Sequence, residues 1–324
     1  MNVYDFDKTI YNGDSTTHFY FYCVKKQPRV LLWLPYQAWM FFLYIIGIYD
    51  KTQFKERFYS FFKDVKNIEQ MVDSFWDTHE SGIKKWYLDN HRDDDIVIYA
   101  SPEFLLQPIC KRLGIKTLIA SRVNLHDGKY DGLNCYGEEK VSRLKAQLGD
   151  IEYEHFYSDS LSDSPLAELA KNESYIVSGE TLIKWNDYKL TPIKKLVKMV
   201  FDRQFLSFVF IGAVNTVNSV LFSILYSLLF YPNTAFVLGY ITSLVISYLL
   251  NSFLTFKAPL GFVRFIKFAI SYIPNFIIQN VIVFIVYNLL HLDELIAYIL
   301  AGIIGIPVTF LMMKFFAFKN TKRP

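Results

Sequence analysis

The second half of the sequence contains a long run without a charged side chain, from Arg203 to Lys257. A bilayer core of about 30 Å is crossed by roughly 20 residues of helix, and Pro232 and Asn233 divide the run into two segments of suitable length. Two further apolar segments follow. Four such segments in series are rare in a soluble helical core, so they predict four membrane spans, at about 206–230, 234–256, 268–290 and 295–316.

The basic residues of this half flank the predicted spans on one side only. They precede the first span, separate the second from the third, and follow the fourth, at Lys189, Lys194, Lys195, Lys198, Arg203, Lys257, Arg264, Lys267, Lys314, Lys319, Lys322 and Arg323. The two other loops, YPN and HLDEL, have no Lys or Arg. Basic loops face the cytoplasm, so we predict a multi-pass protein of the cell membrane with the N-terminal domain and the C-terminus in the cytoplasm.

Composition excludes several other classes of protein. A net charge of +3 over 324 residues, without a basic groove, argues against nucleic acid as a partner. Three widely spaced cysteines, Cys23, Cys110 and Cys135, argue against a disulfide framework or a zinc site. The sequence leaves the oligomeric state open.

The first half is typical of an α/β domain. Strand-like runs at about 96–100, 117–120, 155–158 and 174–177 alternate with helical stretches at about 102–113 and 137–148. The segment LHDGKYDG predicts a hairpin turn around Asp127 and Gly128. We therefore expect an α/β domain over 1–185 with a helical cap over about 11–94, a basic linker over 186–204, and an all-α four-helix transmembrane domain over 205–318.

Polar residues follow the strand-like runs of this domain. Asp5 and Asp7 come after a first short run, Ser101 after IVIYA, and Asp159 after HFYS. In open α/β sheets, ligands bind outside the carboxyl ends of the strands, so these positions suit a site. Each residue also has a local explanation, because Asp5 suits a turn and Ser101 and Asp159 suit helix caps.

Four short segments, taken in order, resemble the motifs of the haloacid-dehalogenase (HAD) phosphatases. They are DFDKT, the Ser after IVIYA, the Lys of GEEK, and DSLSDSP, and their spacing is similar to the phosphoserine-phosphatase-like branch with a cap after the first motif. The resemblance covers about residues 1–185. One departure is Lys8, where many relatives carry Gly; it removes no catalytic group but adds a cation near the site.

The resemblance implies a chemical role for the aspartates. Asp5 would be the nucleophile that forms an aspartyl-phosphate, and Asp7 the general acid and then base. Mg²⁺ would be held by Asp5, Asp159 and the backbone carbonyl of Asp7. Asp163 would not bind the metal directly but would orient the metal or Lys140.

The same resemblance implies which residues bind phosphate. Ser101, Lys140 and Thr9 would hold the phosphoryl oxygens and neutralise their charge. The next polar pair along the chain, Asp14 and Ser15, is open to two interpretations: it touches the substrate, or it caps the helix that follows.

The cap contains an uncharged segment, VLLWLPYQAWMFFLYIIGIY, over residues 30–49. A single crossing would place Asp5 and Ser101 on opposite sides of the membrane, so the segment should not cross. In one alternative the segment lies in the membrane interface, as a cap helix or as a helical hairpin broken near Pro35, with Trp33, Trp39 and several Tyr at headgroup depth. In the other alternative it is a helix buried in the cap. The interface alternative predicts a lipid phosphate as substrate.

The membrane half has a resemblance of its own. FIGAVNTVNSVLF and YLLNSFLTF are similar to segments of the GtrA-like family, over about 205–318, which implies handling of polyprenyl-phosphate-linked sugars. Ser252 replaces a basic residue frequent in that family. Polar residues inside the spans either line a headgroup path or bond between helices: Asn215, Asn218, Asn251, Gln279 and Asn280.

Three functions follow from these observations. The first is a Mg²⁺-dependent phosphatase of a lipid phosphate, such as phosphatidylglycerophosphate or a polyprenyl-linked species, in cell-envelope biosynthesis. The second is a transporter or flippase of lipid-linked sugars with a coupled or regulatory phosphatase domain. The third is a phosphatase of soluble substrates that is merely anchored in the membrane.

Overall fold

The computed structural model describes residues 1–188, 191 and 202–319. The chain forms two compact units, Met1–Phe42 with Tyr49–Lys189, and Leu43–Ile48 with Leu190–Pro324. Most of the predicted linker lies outside the described residues, as do Lys322 and Arg323. The predicted domain boundaries therefore stay a prediction.

A six-stranded sheet forms the centre of the first unit. Its strands are β1 Val3–Tyr4, β2 Ile96–Pro102, β3 Thr117–Ser121, β4 Phe156–Ser158, β5 Tyr175–Ser178 and β6 Thr181–Lys184. They lie in the order β3-β2-β1-β4-β5-β6, all parallel except the antiparallel pair β5 and β6. β1 is central, with Val3 opposite both Ile96 and Phe156. The residues that follow β1, β2 and β4 therefore meet at one edge.

Eight helices of the described chain lie wholly or mostly in this unit. They are α1 Ser15–Lys26, α2 Leu34–Ile45, α3 Lys51–Phe58, α4 Ile68–His79, α5 Lys85–Leu88, α6 Glu103–Arg112, α7 Glu138–Leu148 and α8 Ser164–Ala167. The first five lie between β1 and β2 in the chain and form the cap, with 3₁₀ turns at Pro28–Trp33 and Tyr59–Asp64. A helical cap after the first motif is what the sequence predicts.

The two faces of β1 serve two hydrophobic clusters, because successive side chains of a strand point to opposite faces. Val3 packs in the cluster that contains Ile96 and Phe156. Tyr4 belongs to a larger cluster that includes Trp76 of the cap. The cap thus shares a core with one face of the sheet, which fixes it beside the strand ends.

Pro35 lies in the first turn of a helix and does not break a helical hairpin. It is the second residue of α2, a position where the missing backbone N–H of proline costs nothing. The hairpin alternative is therefore wrong. Only Gln37 and Met40 of α2 are buried, whereas Leu34 and Trp39 are exposed.

The four strand-like runs of the sequence correspond to β2, β3, β4 and β5. The predicted hairpin at Asp127 is a turn with one isolated bridge, between Val123 and Tyr130. β6 was not predicted from the sequence. It is only four residues long and follows the turn at Gly179, whose φ of +64° is left-handed. The predicted α/β fold class is confirmed.

The second unit is helical. Its helices are α9 Arg203–Ser227, α10 Pro232–Leu250, α11 Phe262–Ile270, α12 Tyr272–Val283 and α13 Glu294–Met312. Short π-helical ends extend three of them. Four helical stretches in the described chain are long and apolar enough to span a membrane, at Arg203–Ser227, Pro232–Thr255, Phe262–Leu289 and Glu294–Ala317. The chain is a multi-pass membrane protein, as predicted.

The helix that contains the predicted third span, at about 268–290, begins before that span. The helix begins at Phe262, so it includes Arg264 and Lys267, and it is interrupted at Ser271. A charge does not end a helix, and long basic side chains can reach water from a helix end. The predicted span begins after these two residues because their charge was taken to mark its edge.

Polar residues inside the spans mainly form hydrogen bonds within their own helix or contact a neighbouring helix. Asn215 accepts a bond of 2.5 Å from Ser243 on the neighbouring helix. A Cβ at Gly305 would lie 2.5 Å from Gln279 Nε2, which shows close helix contact. Asn251 and Asn280 donate within their own helices. These contacts favour packing over a headgroup path.

Candidate active site

A buried ion cluster lies where β1 and β4 end and α7 begins. Lys140 Nζ lies 2.7 Å from Asp5 Oδ1 and 3.0 Å from Asp163 Oδ2. All three side chains are at most 4% exposed. Thr9 Oγ1 donates to Asp5 at 3.4 Å, and Ser158 Oγ donates to Asp163 at 2.8 Å. The first, third and fourth sequence motifs thus meet at one point.

The two carboxylates determine the charge of Lys140. Burial alone would lower the pKa of the ammonium group, but Asp5 and Asp163 outweigh it and hold the pKa above the ordinary value. Lys140 therefore stays charged at any physiological pH. A permanent buried cation beside Asp5 is suited to neutralising the oxygens of a phosphoryl group.

Asp7 occupies a separate environment close by. The backbone N–H of Ser15 donates to Asp7 Oδ1 at 2.9 Å, and Ser15 Oγ donates to Oδ2 at 3.1 Å. Burial, followed by repulsion from Asp14, raises the pKa of Asp7 to about 7. A carboxyl group in that range can both give and take a proton near neutral pH.

Ser101 joins the cluster from the end of β2. Its Oγ lies 3.5 Å from Asp7 Oδ2 and 2.9 Å from Thr16 Oγ1. The contacts of Ser15 with Asp7 and of Thr16 with Ser101 were not predicted from the sequence. For Asp14 and Ser15, the sequence left substrate contact and helix capping open, and Asp14 is a cap, because it accepts from the N–H of Thr17 at 2.8 Å. Ser15 instead holds Asp7.

Asp159 lies after β4, at the half-buried rim of the site. Burial raises its pKa, while Lys8 first and then Lys140 act in the opposite direction, and Asp163 adds repulsion. The structure therefore brings Asp5, Asp7, Thr9, Ser101, Lys140 and Asp163 together, with Asp159 beside them. The chemical roles of these residues remain predictions.

The oxygen atoms of this cluster fit a hard cation. Among the described residues, no three His, Cys, Asp or Glu side chains form a metal site by themselves, and the predicted set needs only two carboxylates and a backbone carbonyl. Asp163 Oδ1 is buried without a hydrogen-bond partner in the described chain. Asp5, Asp159 and Asp163 together carry more negative charge than buried Lys140 can balance. A Mg²⁺ ion held by Asp5, Asp159 and the Asp7 carbonyl would balance the rest.

A second buried lysine, Lys84, supports the loop that follows Asp7. Lys84 is 4% exposed, and its ammonium group donates to the backbone carbonyl of Lys8. Its own N–H donates to Ile10 O at 2.8 Å. Lys8 has a left-handed backbone, with a φ of 58°, which a residue with a side chain adopts only at some cost. Lys84 thus supports the turn at Lys8, which lies in the chain between the catalytic candidates, Asp5 and Asp7, and the phosphate-binding candidate Thr9.

The buried Asp–Lys–Asp cluster at the carboxyl edge of a parallel sheet, with a cap after the first strand, defines a hydrolase domain of the HAD type. The haloacid dehalogenase-like hydrolase family model matches residues 3–168, and the chain belongs to this family. Residues 207–318 match the GtrA/DPMS transmembrane domain. The chain therefore combines a HAD-like hydrolase domain with a GtrA-like membrane domain, and the predicted fusion is confirmed.

Several known proteins are similar to the first unit. A protein of Mycobacterium tuberculosis named a probable phosphatase is 34% identical over 107 residues, covering 31% of this chain and 37% of the relative. Protein CicA of Caulobacter vibrioides is 31% identical over 86 residues, covering 25% of this chain and 39% of CicA. Histidinol-phosphatase of Neisseria meningitidis is 23% identical, covering 52% of this chain and 86% of that enzyme. The chain thus spans well under half the length of the first two relatives.

Two solved structures are also similar. A protein of unknown function from Bordetella pertussis has 21% identity and a TM-score of 0.46, covering 53% of this chain and 87% of that one. A phosphoserine phosphohydrolase-like protein from Francisella tularensis has 16% identity and a TM-score of 0.38, covering 54% and 85%. At these scores neither likeness adds to the assignment.

Proposed function

We propose that the protein is a membrane-bound, Mg²⁺-dependent phosphatase that hydrolyses a phosphomonoester on a lipid. Phosphatidylglycerophosphate and polyprenyl-linked phosphates are the candidates, and cell-envelope biosynthesis is the setting. The observation that carries the proposal is an apolar, solvent-exposed cap surface on a domain whose chain also contains four potential membrane spans.

The positions of the side chains support the following reaction. A carboxylate oxygen of Asp5 attacks phosphorus, and the bond from phosphorus to the lipid oxygen breaks. Asp7 gives its proton to that oxygen, then takes one from the water that attacks the aspartyl-phosphate and frees both inorganic phosphate and Asp5. Lys140 and Ser101 hold the phosphoryl oxygens. When bound, Mg²⁺ would supply further positive charge against the same oxygens.

The cap supports a lipid substrate. Leu32 is 78% exposed, Trp39 is 56% and Leu34 is 53%. These residues lie on α2 and the turn before it, and no charged residue occurs between Val30 and Tyr49. An apolar helix surface with a Trp suits the boundary between headgroups and acyl chains. Trp33 is less available than predicted, because its Nε1 donates to Asp64 at 2.6 Å.

A membrane substrate requires that the catalytic unit lie at the membrane surface. The basic clusters that flank the spans support a cytoplasmic location for this surface. Lys257, between the second and third candidate spans, and Arg264 and Lys267, near the start of the third, carry this part of the proposal. The proposed location is therefore the inner leaflet of the cell membrane.

A second candidate function comes from the membrane domain. The match of residues 207–318 to the GtrA/DPMS transmembrane domain supports a transporter or flippase of lipid-linked sugars, with the phosphatase domain coupled to it. The interhelical contacts of Asn215 and Gln279 favour a packing role over a transport path, so we place this candidate second.

The direct test is hydrolysis by the purified full-length protein in lipid nanodiscs. We expect release of phosphate from phosphatidylglycerophosphate or a polyprenyl phosphate, lost on chelation of Mg²⁺. Asp5→Asn should abolish it, because an amide is a far weaker nucleophile at nearly equal volume. Asp73→Asn, on the exposed side of α4, is the matched control and should keep full activity.

Three results would contradict the proposal. Full activity of Asp5→Asn would show that another residue attacks phosphorus. Hydrolysis of soluble phosphates alone would favour the anchored soluble-substrate phosphatase. Movement of lipid-linked sugar by the Asp5→Asn protein, without hydrolysis by the wild type, would favour the transporter.

A further inference from the structure

The cap helix α3 and the 3₁₀ turn that follows it present polar groups on three successive turns. Lys51, Lys55 and Tyr59 are spaced four residues apart, so their side chains lie in one row. Arg57, the other basic residue in the second half of α3, lies elsewhere, over the ring of Tyr49 at 4.4 Å. The row therefore differs from an ordinary solvated face.

This row lies beside the catalytic motifs of the sheet. Lys55 Nζ lies 3.5 Å from the carbonyl oxygen of Ala100, the residue before Ser101. Lys51 Nζ lies 4.2 Å from the centre of the Tyr136 ring, in the loop that leads to Lys140. The two ammonium groups thus approach the phosphoryl site from the cap side, next to the second and third motifs.

Tyr59 supplies an independent observation. Its side chain is 1% exposed, and its hydroxyl has no hydrogen-bond partner of normal geometry in the described chain. Thr16, which bonds Ser101, and Tyr130 are polar groups close to this hydroxyl. A buried hydroxyl without a partner is costly, so this position has a donor to spare for a ligand.

The charge of the row is poorly balanced. Across residues 1–188, 191 and 202–319, neither Lys51 nor Lys55 forms a salt bridge. Burial, and then repulsion from Lys51, lowers the pKa of Lys55 to about 8, although Asp14 and Asp7 act against this. An anion bound between the two lysines would remove that repulsion.

We propose that Lys51, Lys55 and Tyr59 form a subsite for a second phosphate group of the substrate, separate from the phosphomonoester that Asp5 attacks. This inference rests on the proposed function and narrows it. The preferred lipid carries a phosphodiester near its phosphomonoester, as phosphatidylglycerophosphate does. A lipid with a single phosphate, such as phosphatidic acid, would leave the subsite empty.

The test compares two soluble substrates, so that membrane docking plays no part. One is deacylated phosphatidylglycerophosphate, which has both phosphates, and the other is glycerol 3-phosphate, which has one. The measured quantity is the ratio of their kcat/KM values on the full-length protein. Hydrogen bonds to charged groups are worth enough that Lys55→Met should lower this ratio about tenfold or more, and Lys55→Arg should restore much of it.

Lys63→Met is the matched control, because this cap lysine lies over the ring of Trp33, away from the row. It should leave the ratio as in the wild type. Lys51→Met should lower the ratio in the same direction as Lys55→Met, because both lysines would bind one group. Equal losses on both substrates in Lys55→Met would overturn the subsite, as would a wild type without preference for the two-phosphate compound.

A binding measurement separates this inference from the proposed function. Asp5→Asn protein, which should not turn over, is titrated with the deacylated two-phosphate compound, with and without Lys55→Met. We expect affinity to fall about tenfold with Lys55→Met. Equal affinities would overturn the subsite even if lipid hydrolysis is found. Weakened binding without any hydrolysis would retain the subsite and refute the phosphatase.

Discussion

The lipid specificity of the proposed phosphatase should depend on the exposed apolar surface of the cap. We consider a triple variant, Leu32→Gln, Leu34→Gln and Trp39→Gln, in the full-length protein. The substitutions leave Asp5 and Lys140 untouched. If the cap docks into the membrane interface, the variant should lose turnover of lipid phosphates in bilayers far more than turnover of a small soluble phosphate.

The exposed fractions set the size of the effect. Fully burying a leucine is worth about 1.5–3 kcal/mol, so Leu32 and Leu34, 78% and 53% exposed, would together contribute about 2–4 kcal/mol on docking. An aromatic side chain buries about 150–250 Å², so the exposed 56% of Trp39 would add about 2–3 kcal/mol. These are upper values, since docking buries only part of each side chain.

The spans keep the variant in the membrane, so only the docking equilibrium of the cap changes. We expect kcat/KM for the lipid in nanodiscs to fall at least about tenfold, the equivalent of about 1.4 kcal/mol. The assay measures phosphate release from lipid and soluble substrates side by side. A control triple variant, Leu88→Gln, Leu133→Gln and Leu169→Gln, replaces exposed leucines elsewhere on the first unit.

Two outcomes would refute this reasoning. Equal losses on lipid and soluble substrates would show that the segment supports the fold of the cap and not its docking. An equal effect of the control variant would show that apolar surface in general, and not α2, determines activity. Thermal unfolding of both variants identifies any loss that comes from reduced stability.

Two further predictions test topology and the loop after Asp7. Cysteine at Asn233 should react with a membrane-impermeant reagent outside whole cells and cysteine at Gly261 should not, because the basic loops face the cytoplasm; labelling at Gly261 would reverse the orientation. Lys84→Met should lower kcat/KM about tenfold by releasing the Lys8 turn, and Lys8→Gly should restore part of it because glycine adopts a left-handed φ freely. Absence of rescue, with kcat/KM measured for both variants, would mean that Lys84 acts through its charge.

Much of the site could be predicted because its residues follow strand ends. The positions of Asp5, Ser101 and Asp163 depend on local runs of apolar residues and on the rule that parallel strands end at one edge. The sheet order then brings them together, and Lys140 joins from the start of α7. The periodicity of apolar residues and the order of the motifs along the chain were sufficient to predict this part of the site.

Other contacts could not be predicted because they depend on backbone turns between distant segments. Ser15 reaches Asp7 only because the chain reverses after the left-handed Lys8. Lys84 reaches Lys8 from the far end of the cap. The start of a helix at Phe262 could not be predicted for a different reason, because charge was taken as the boundary of the span. Periodicity describes single elements and contains no information on such pairings.

Lys8 illustrates how a departure from the family pattern is accommodated. A side chain at this left-handed position costs on the order of 1 kcal/mol relative to glycine. The bond from buried Lys84 to the Lys8 carbonyl offsets that cost, and the exposed ammonium of Lys8 acts to lower the pKa of Asp159. Lys8 thus helps to keep a metal-ligand candidate ionised at the rim of an acidic site. The two lysines are best understood as a pair, so neither should be exchanged in this chain without considering the other.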